Sequence, residues 1–321
     1  MLRLRCRAVE VRGRKLHFGA QLQAQATTWD EYLRAVKMVE ELRFGSVWTF
    51  DHLLPFSGPE DRACFETLTT LGAMAAVTTS ARIGVLVNGA LYRHPAVLAK
   101  AAAQVDQMSG GRLDFSLGAA WAEREFRAYG LEFPPLAERY GRLEEALQVT
   151  KLLWSQRRTN FRGRYYRLED APCEPKPLQQ PHPPVTIGGS GLGSLRAAAR
   201  HADRLNLIGP PEHCAERARR LEQLCAEEGR SFGEIELSVH PTVALGKDER
   251  SAQDLAERMA ATLGARPQPG RWVVGTPEQV AQSLRRYMEV GVSHFVLAVT
   301  APFEREPLRL FQDEVVPALE G

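Results

Sequence analysis

Arg82-Ile83-Gly84-Val85-Leu86-Val87 is followed, after His94-Pro95, by Ala96-Val97-Leu98-Ala99-Lys100 running on to Met108. Then come Gly111-Arg112 and Leu113-Asp114-Phe115-Ser116-Leu117. Residues 82–87 form an unbroken apolar run of strand length, and 96–108 repeat apolar positions at helical spacing. After a glycine turn, 113–117 read as another strand. Apolar strands separated by a helix are the pattern of a parallel sheet buried on both faces.

The same alternation extends in both directions. Upstream, 16–22 and 46–50 read as strands, each followed by a helix, at 29–42 (Tyr32, Leu33, Val36, Val39) and 65–77. Downstream, a long helix is expected over 135–154. Further strands are expected at 185–187, 204–208, 235–243 and 294–299, with helices at 194–201, 211–228, 251–263 and 303–319. Thr276-Pro277-Glu278-Gln279 opens one more helix, with Thr as N-cap, Pro in the first turn and Gln three residues on. Eight strands in 321 residues is about 40 per unit, the pace of a (β/α)8 TIM barrel. A six-stranded doubly wound sheet would leave two strand-like runs unexplained.

Residues 155–184 interrupt the rhythm with Arg162-Gly163-Arg164-Tyr165-Tyr166 and with Pro172, Pro175, Pro177, Pro181, Pro183 and Pro184. Proline at that density resists helix and central strand, so an insertion after the fourth β/α unit is expected. The organisation is therefore a basic tail over 1–15 and a single barrel domain over 16–321.

Formal charge is +2 and the hydrophobic share 44%, which gives no electrostatic case for nucleic acid or an anionic membrane. No run approaches the ~20 apolar residues of a membrane span, and the basic N-terminus carries no apolar signal core. The five cysteines are scattered, with no CxxC and no His pair at i, i+4. Free thiols in a reducing cytoplasm are expected, and no metal site.

Barrel chemistry sits at the C-terminal ends of strands. That test selects Gln21 and Gln23, Asp51-His52, 88–93, 118–125 and 188–193. Ile187-Gly188-Gly189-Ser190-Gly191-Leu192-Gly193 lets backbone N–H groups approach an anion at a helix N-terminus, which suits a phosphate. It is neither a dinucleotide fingerprint nor a nucleophile elbow, because Ser194 and Leu192 stand where glycine is required. In Phe50-Asp51-His52, strand alternation admits one of the two polar side chains to the mouth, and the imidazole suits proton exchange. His240 and the other histidines form no cluster. Trp48, Tyr92 and Trp121 are expected as core or rim packing, and Glu123-Arg124-Glu125 as a solvated helix face.

Several motifs together resemble the bacterial-luciferase-like flavin and deazaflavin oxidoreductases, and most the subgroup dependent on coenzyme F420. They are Phe50-Asp51-His52, Tyr92-Arg93-His94-Pro95-Ala96, Ser109-Gly110-Gly111-Arg112-Leu113 and Leu117-Gly118-Ala119-Ala120-Trp121-Ala122-Glu123-Arg124-Glu125. Pro134-Pro135-Leu136-Ala137-Glu138-Arg139, Glu174-Pro175-Lys176-Pro177 and Pro183-Pro184 before Ile187-Gly188-Gly189 complete the set.

The resemblance implies a homodimeric (β/α)8 barrel holding the ring in its mouth, a small-molecule substrate and no nucleic-acid or membrane partner. It implies His52 as the proton partner of hydride transfer at C5. Val85 and Leu86 lie at a bulged strand that often carries a non-proline cis peptide. Asp51, Gly118, Ala120 and the loop Gly188, Gly189, Ser190 and Gly191 fall around the cofactor. Gln21, Trp48 and Trp121 fall toward the substrate. Ala120 replaces a usual glycine, and Trp121 stands where some sugar-phosphate oxidisers carry a catalytic acid. FMN with a partner reductase and oxygen is the alternative cofactor reading, and a non-catalytic flavin-binding barrel the alternative function.

Overall fold

A computed structural model describes residues 9–264 and 270–321. It begins with a short antiparallel hairpin, β1 (Glu10–Val11) and β2 (Arg14–Lys15). Then follow β3 (His17–Leu22), α1 (Trp29–Glu41), β4 (Ser46–Thr49), α2 (Thr67–Val77), β5 (Arg82–Val85), α3 (Pro95–Met108) and β6 (Leu113–Leu117). After α4 (Glu123–Ala128) and α5 (Leu136–Ser155) comes a hairpin, β7 (Thr159–Arg162) and β8 (Arg167–Ala171). The alternation resumes with β9 (Val185–Gly188), α6 (Leu192–His201), β10 (Arg204–Leu207), α7 (Pro211–Glu227) and β11 (Glu236–Val239). The chain ends with β12 (Thr242–Leu245), α8 (Glu249–Leu263), β13 (Trp272–Gly275), α9 (Pro277–Glu289), β14 (Val292–Val299) and a helical segment from Arg305 to Glu320.

Eight parallel strands close on themselves in the order β3, β4, β5, β6, β9, β10, β11, β14, with β14 returning to β3. This is the TIM barrel expected from the sequence. Its interior is filled by side chains, as such barrels require. Trp48 is buried between glycines of the flanking strands. A Cβ at Gly84 would stand 2.5 Å from the indole, and one at Gly19 would stand 3.0 Å from its Nε1.

Three departures have local causes. The run expected as one strand over 235–243 is two, because Pro241 has no N–H to continue the ladder. Beyond it β12 leaves the closed ring, meets β14 through Thr242 opposite Ala298, and pairs with β13, a strand missed in the sequence. The insertion over 155–184 contains the β7–β8 hairpin, which carries no proline from Thr159 to Ala171. Residues 10–15 of the expected tail are structured: Arg12 donates to the carbonyl of Phe232, and Arg14 to those of Gly233 and Glu234. The first eight residues lie outside the described ones. Thr276 caps α9 as expected, in a reciprocal box with Gln279.

At the N-terminal end of the barrel, charged residues knit the strands together. Arg204 donates to Glu236 at 2.7 Å and lies 3.7 Å from Asp114. Asp114 also receives Arg82 at 3.0 Å, and Ser293 donates to Glu236 at 3.0 Å. No buried side-chain atom of these five residues lacks a partner. Among the described residues no helix is long and apolar enough to cross a membrane.

Candidate active site

The opposite end opens into a cavity of about 590 Å³, lined from the C-terminal ends of β4, β5, β6, β9 and β10 and by α5. Asp51 and His52 both line it. Strand alternation does not separate them, because β4 ends at Thr49 and the two lie in the loop beyond. The Asp51 carboxylate is consumed by structure. It accepts from Gly89 N–H at 2.9 Å and from both-oxygen contacts with Arg93 Nη1 at 3.0 and 2.9 Å. Arg93 in turn reaches Glu66, the N-cap of α2, so one guanidinium ties the loops after β4 and β5.

His52 has a partner that the sequence reading assigned to a solvated face. Its Nδ1 lies 2.6 Å from Glu125 Oε1, while Glu125 Oε2 accepts from Leu53 N–H at 2.7 Å and from the Tyr92 hydroxyl at 2.8 Å. Glu125 is only 1% exposed. Burial alone would raise its carboxyl, but the bonds from His52, Leu53 and Tyr92 outweigh this and hold it below the ordinary carboxylate range. Burial and the same carboxylate push the Tyr92 phenol up, so it stays a donor. The imidazole is thereby fixed through Nδ1, leaving Nε2 as the nitrogen for exchange with a bound molecule. The sequence hint lay in α4 itself. Glu123 and Glu125 are two apart on a helix and cannot share a face, and Glu125 precedes the buried Phe126.

The strand-end β5 supplies the floor. A non-proline cis peptide joins Leu86 to Val87, in the stretch around Val85 and Leu86 where the resemblance implies one. Leu86 and Val87 line the cavity, whereas Val85 is buried in the strand and does not. Gln21 does not reach the cavity either; its amide donates to the Leu86 carbonyl at 2.7 Å and so braces that floor from behind. Trp48, sealed in the barrel between Gly19 and Gly84, is likewise absent from the lining, so neither residue stands where the substrate expectation put it.

The glycine loop after β9 lines the cavity from Gly188 to Gly191. Its glycines have reasons within the chain. A Cβ at Gly118 or Gly188 would stand 2.8 Å from a Val87 methyl, and one at Gly193 would stand 2.3 Å from the Tyr140 ring. Gly189 has φ +125, a conformation closed to side-chain-bearing residues. Gly191 caps α6 without a side-chain bond, so the first N–H groups of the helix have no side-chain cap there. Ala120 also lines the mouth, at φ +58, which accounts for the usual glycine at this position.

Three buried side-chain atoms of lining residues have no partner: Asn88 Oδ1, Arg139 Nε and His240 Nε2. His240 was read as unclustered; burial and Arg271 lower its value to about 4, so it is neutral at pH 7. Unsatisfied polar atoms on the cavity wall are the kind of groups that a flat heteroatom-rich ring would satisfy.

Comparison with known proteins shows the family to which this barrel belongs. The luciferase-like monooxygenase family matches residues 15–294. An F420-dependent glucose-6-phosphate dehydrogenase of Microbacterium testaceum is 30% identical, with 95% of this chain and 97% of that protein covered. An FMNH2-dependent dimethylsulfone monooxygenase of Pseudomonas putida is 33% identical over 56% of this chain and 49% of its own. The fold is shared with an F420-dependent secondary alcohol dehydrogenase in complex with an F420-acetone adduct, at TM-score 0.83 and 20% identity over 96% of this chain and 100% of that one. The motifs around His52, Glu125 and the Gly188 loop thus stand on a barrel matched over most of its length, and the chain belongs to the luciferase-like monooxygenase family.

Proposed function

We propose that this chain is an F420-dependent oxidoreductase that moves a hydride between the deazaflavin C5 and a carbon of a small organic substrate. The observation that carries this reading is the His52–Glu125 pair at the cavity edge, with Nδ1 engaged and Nε2 available. When bound, the deazaflavin supplies a carbon centre that takes or gives a hydride and does not readily activate oxygen. Every other part belongs to the protein. Leu86 and Val87 would back the ring, the N–H groups at Gly191 and the start of α6 would hold its phosphate, and Asn88 and His240 would offer polar contacts to it.

His52 Nε2 takes the substrate proton when the carbon gives up its hydride, and returns it in the reverse direction. Glu125 fixes the ring orientation and stabilises the imidazolium formed on protonation. A homodimer and a cytoplasmic location belong to the same reading, the latter supported by the unpaired Cys64, Cys173, Cys214 and Cys225.

The P. putida relative supplies a second reading, in which FMN occupies the same mouth and oxygen is a co-substrate. Titration of the apoprotein with F420 and with FMN, followed by fluorescence, separates the two. F420 is expected to bind more tightly and to support turnover under strict anaerobiosis at a rate that air does not raise. Substrate oxidation that requires oxygen and an added FMN reductase would overturn the deazaflavin reading.

A further inference from the structure

The mouth of the cavity carries a surface that the cofactor reading leaves unused. Trp121 is 67% exposed, Leu136 49% and Ile208 43%, and all three line the same opening. Large apolar side chains rarely gather in solvent at one concave edge without a ligand to cover them. Trp121 stands directly over the proton-exchange residue, its ring centroid 5.4 Å from that of His52 in an edge-to-face arrangement. Its backbone is braced, because Ala120 turns the chain at positive φ and the Ala120 carbonyl accepts from Arg139 at 2.6 Å.

The charges at this opening point the same way. Arg139 is the sole arginine or lysine among the described lining residues. Its Nη1 donates to the Ala120 carbonyl, its Nε has no partner, and its guanidinium carbon lies 4.3 Å from the centroid of the Phe133 ring. Glu123 contributes a carboxylate to the same lining, and its nearest cation is the exposed Arg127 at 3.0 Å. Asp51 is neutralised by Arg93, and His240 is uncharged at pH 7. Arg271, which acts on His240, is not part of the lining. Among the described lining residues a phosphorylated substrate would therefore meet one arginine, already holding the Ala120 carbonyl, beside a carboxylate and an indole, where it needs two or three free cations.

We infer that the substrate is an uncharged molecule with an apolar or aromatic face, an alcohol–carbonyl pair whose reacting carbon lies between Trp121 and the cavity floor. This rests on the deazaflavin reading above for its redox step. The C–H bond of the carbinol breaks with its electron pair passing to C5 as hydride, and the O–H proton passes to His52 Nε2. The carbonyl compound and the two-electron-reduced deazaflavin are left, and the reverse direction balances identically. The inference departs from the M. testaceum relative, whose name specifies a sugar phosphate.

The test uses the full chain saturated with whichever of F420 or FMN the separate titration shows to bind, or the apoprotein if neither does. Failure of the cofactor reading is thus seen apart from failure of this one. Calorimetry with acetophenone, its anionic relative 4-acetylbenzoate and glucose 6-phosphate is expected to show acetophenone binding at least about tenfold more tightly than either anion. Trp121→Ala should weaken acetophenone binding about tenfold, while Trp121→Phe retains most of it. Equal or tighter binding of either anion, no measurable preference, or an unchanged acetophenone affinity in Trp121→Ala would each overturn the inference. Glucose 6-phosphate binding that disappears in Arg271→Ala would identify a phosphate site and overturn it as well.

Discussion

The two ends of this barrel are both built from buried acids and their cationic partners, yet they differ in what is left over. At the N-terminal end Arg204, Glu236, Asp114, Arg82 and Ser293 bond to one another, and no buried side-chain atom among them lacks a partner. At the C-terminal end Glu125 holds His52, Leu53 and Tyr92, while Asn88, Arg139 and His240 each keep one buried polar atom unpaired. A closed network stabilises strands. An open one, beside a cavity, is poised for a molecule that completes it. The difference teaches that burial of charge does not by itself mark a site; unpaired polar atoms gathered on the wall of one cavity do, whereas Thr150, Thr159 and Arg217 keep unpaired atoms away from it.

The largest effect that can break this comparison is at His52. Removing a positioned acid or base typically costs about 10²–10⁴-fold in rate. His52→Ala is expected to lose turnover on that scale while keeping most of its cofactor affinity, with a stability loss of only about 1–3 kcal/mol from the bond withdrawn from buried Glu125. Near-normal turnover at every pH would make His52 structural and place the proton elsewhere.

Arg204→Met is the matching experiment at the other end. It strands Glu236 and Asp114 in a buried setting, and breaking one side of such a pair costs about 3–5 kcal/mol. Denaturant unfolding should register that loss, with cofactor affinity of the folded fraction unchanged. A variant of normal stability and weakened cofactor binding would dissolve the division between the two ends.

Glu125→Gln probes the open network and carries a pH signature. The Glu125 carboxyl sits below its ordinary value of 4.5 in the folded protein, because the donated hydrogen bonds outweigh the cost of burial. A carboxyl lowered on folding adds stability above its unfolded value, and that share is lost as pH falls through the folded value. Glutamine removes the charge but keeps one acceptor oxygen, so about 1–2 kcal/mol is expected to go near neutral pH. Below pH 4.5 the gap to wild type should narrow. An equal gap at pH 7 and pH 3.5, read from paired denaturation curves, would show that the carboxylate is not what holds the loop.

Much of the fold was legible because buried parallel strands write themselves as apolar runs, as in 83–87. What failed was set by contacts that no local pattern carries. Trp48 and Gln21 sit near strand ends in sequence, but Gly19 and Gly84 seat the indole inside the barrel and Leu86 draws the amide behind the floor. Glu125 was legible only in part. Its burial follows from Tyr92 and His52, which arrive from two other strand ends. The glycine loop was recognised from composition, yet Val87 and Tyr140 explain Gly188 and Gly193 as firmly as any phosphate does.

The smallest effect lies at Ala120, where the two demands on the open end meet in one residue. Its φ of +58 puts the Cβ in the left-handed region, at a cost of about 1–2 kcal/mol for a residue other than glycine. Glycine would remove that cost but loses about 0.4–1 kcal/mol through the greater freedom of the unfolded chain. Ala120→Gly should therefore raise stability by roughly 0.5–1 kcal/mol, a rise of a few degrees at most in thermal midpoint for a chain of this size. The methyl also lines the cavity next to Trp121, so the same change loosens the brace that holds the indole over His52. Stability is expected to rise while acetophenone affinity falls severalfold, because an ordered aromatic anchor binds better than one free to move. If both rise together, the alanine is mere strain. If stability falls, the contact of Arg139 with the Ala120 carbonyl, and not the backbone angle, governs this turn.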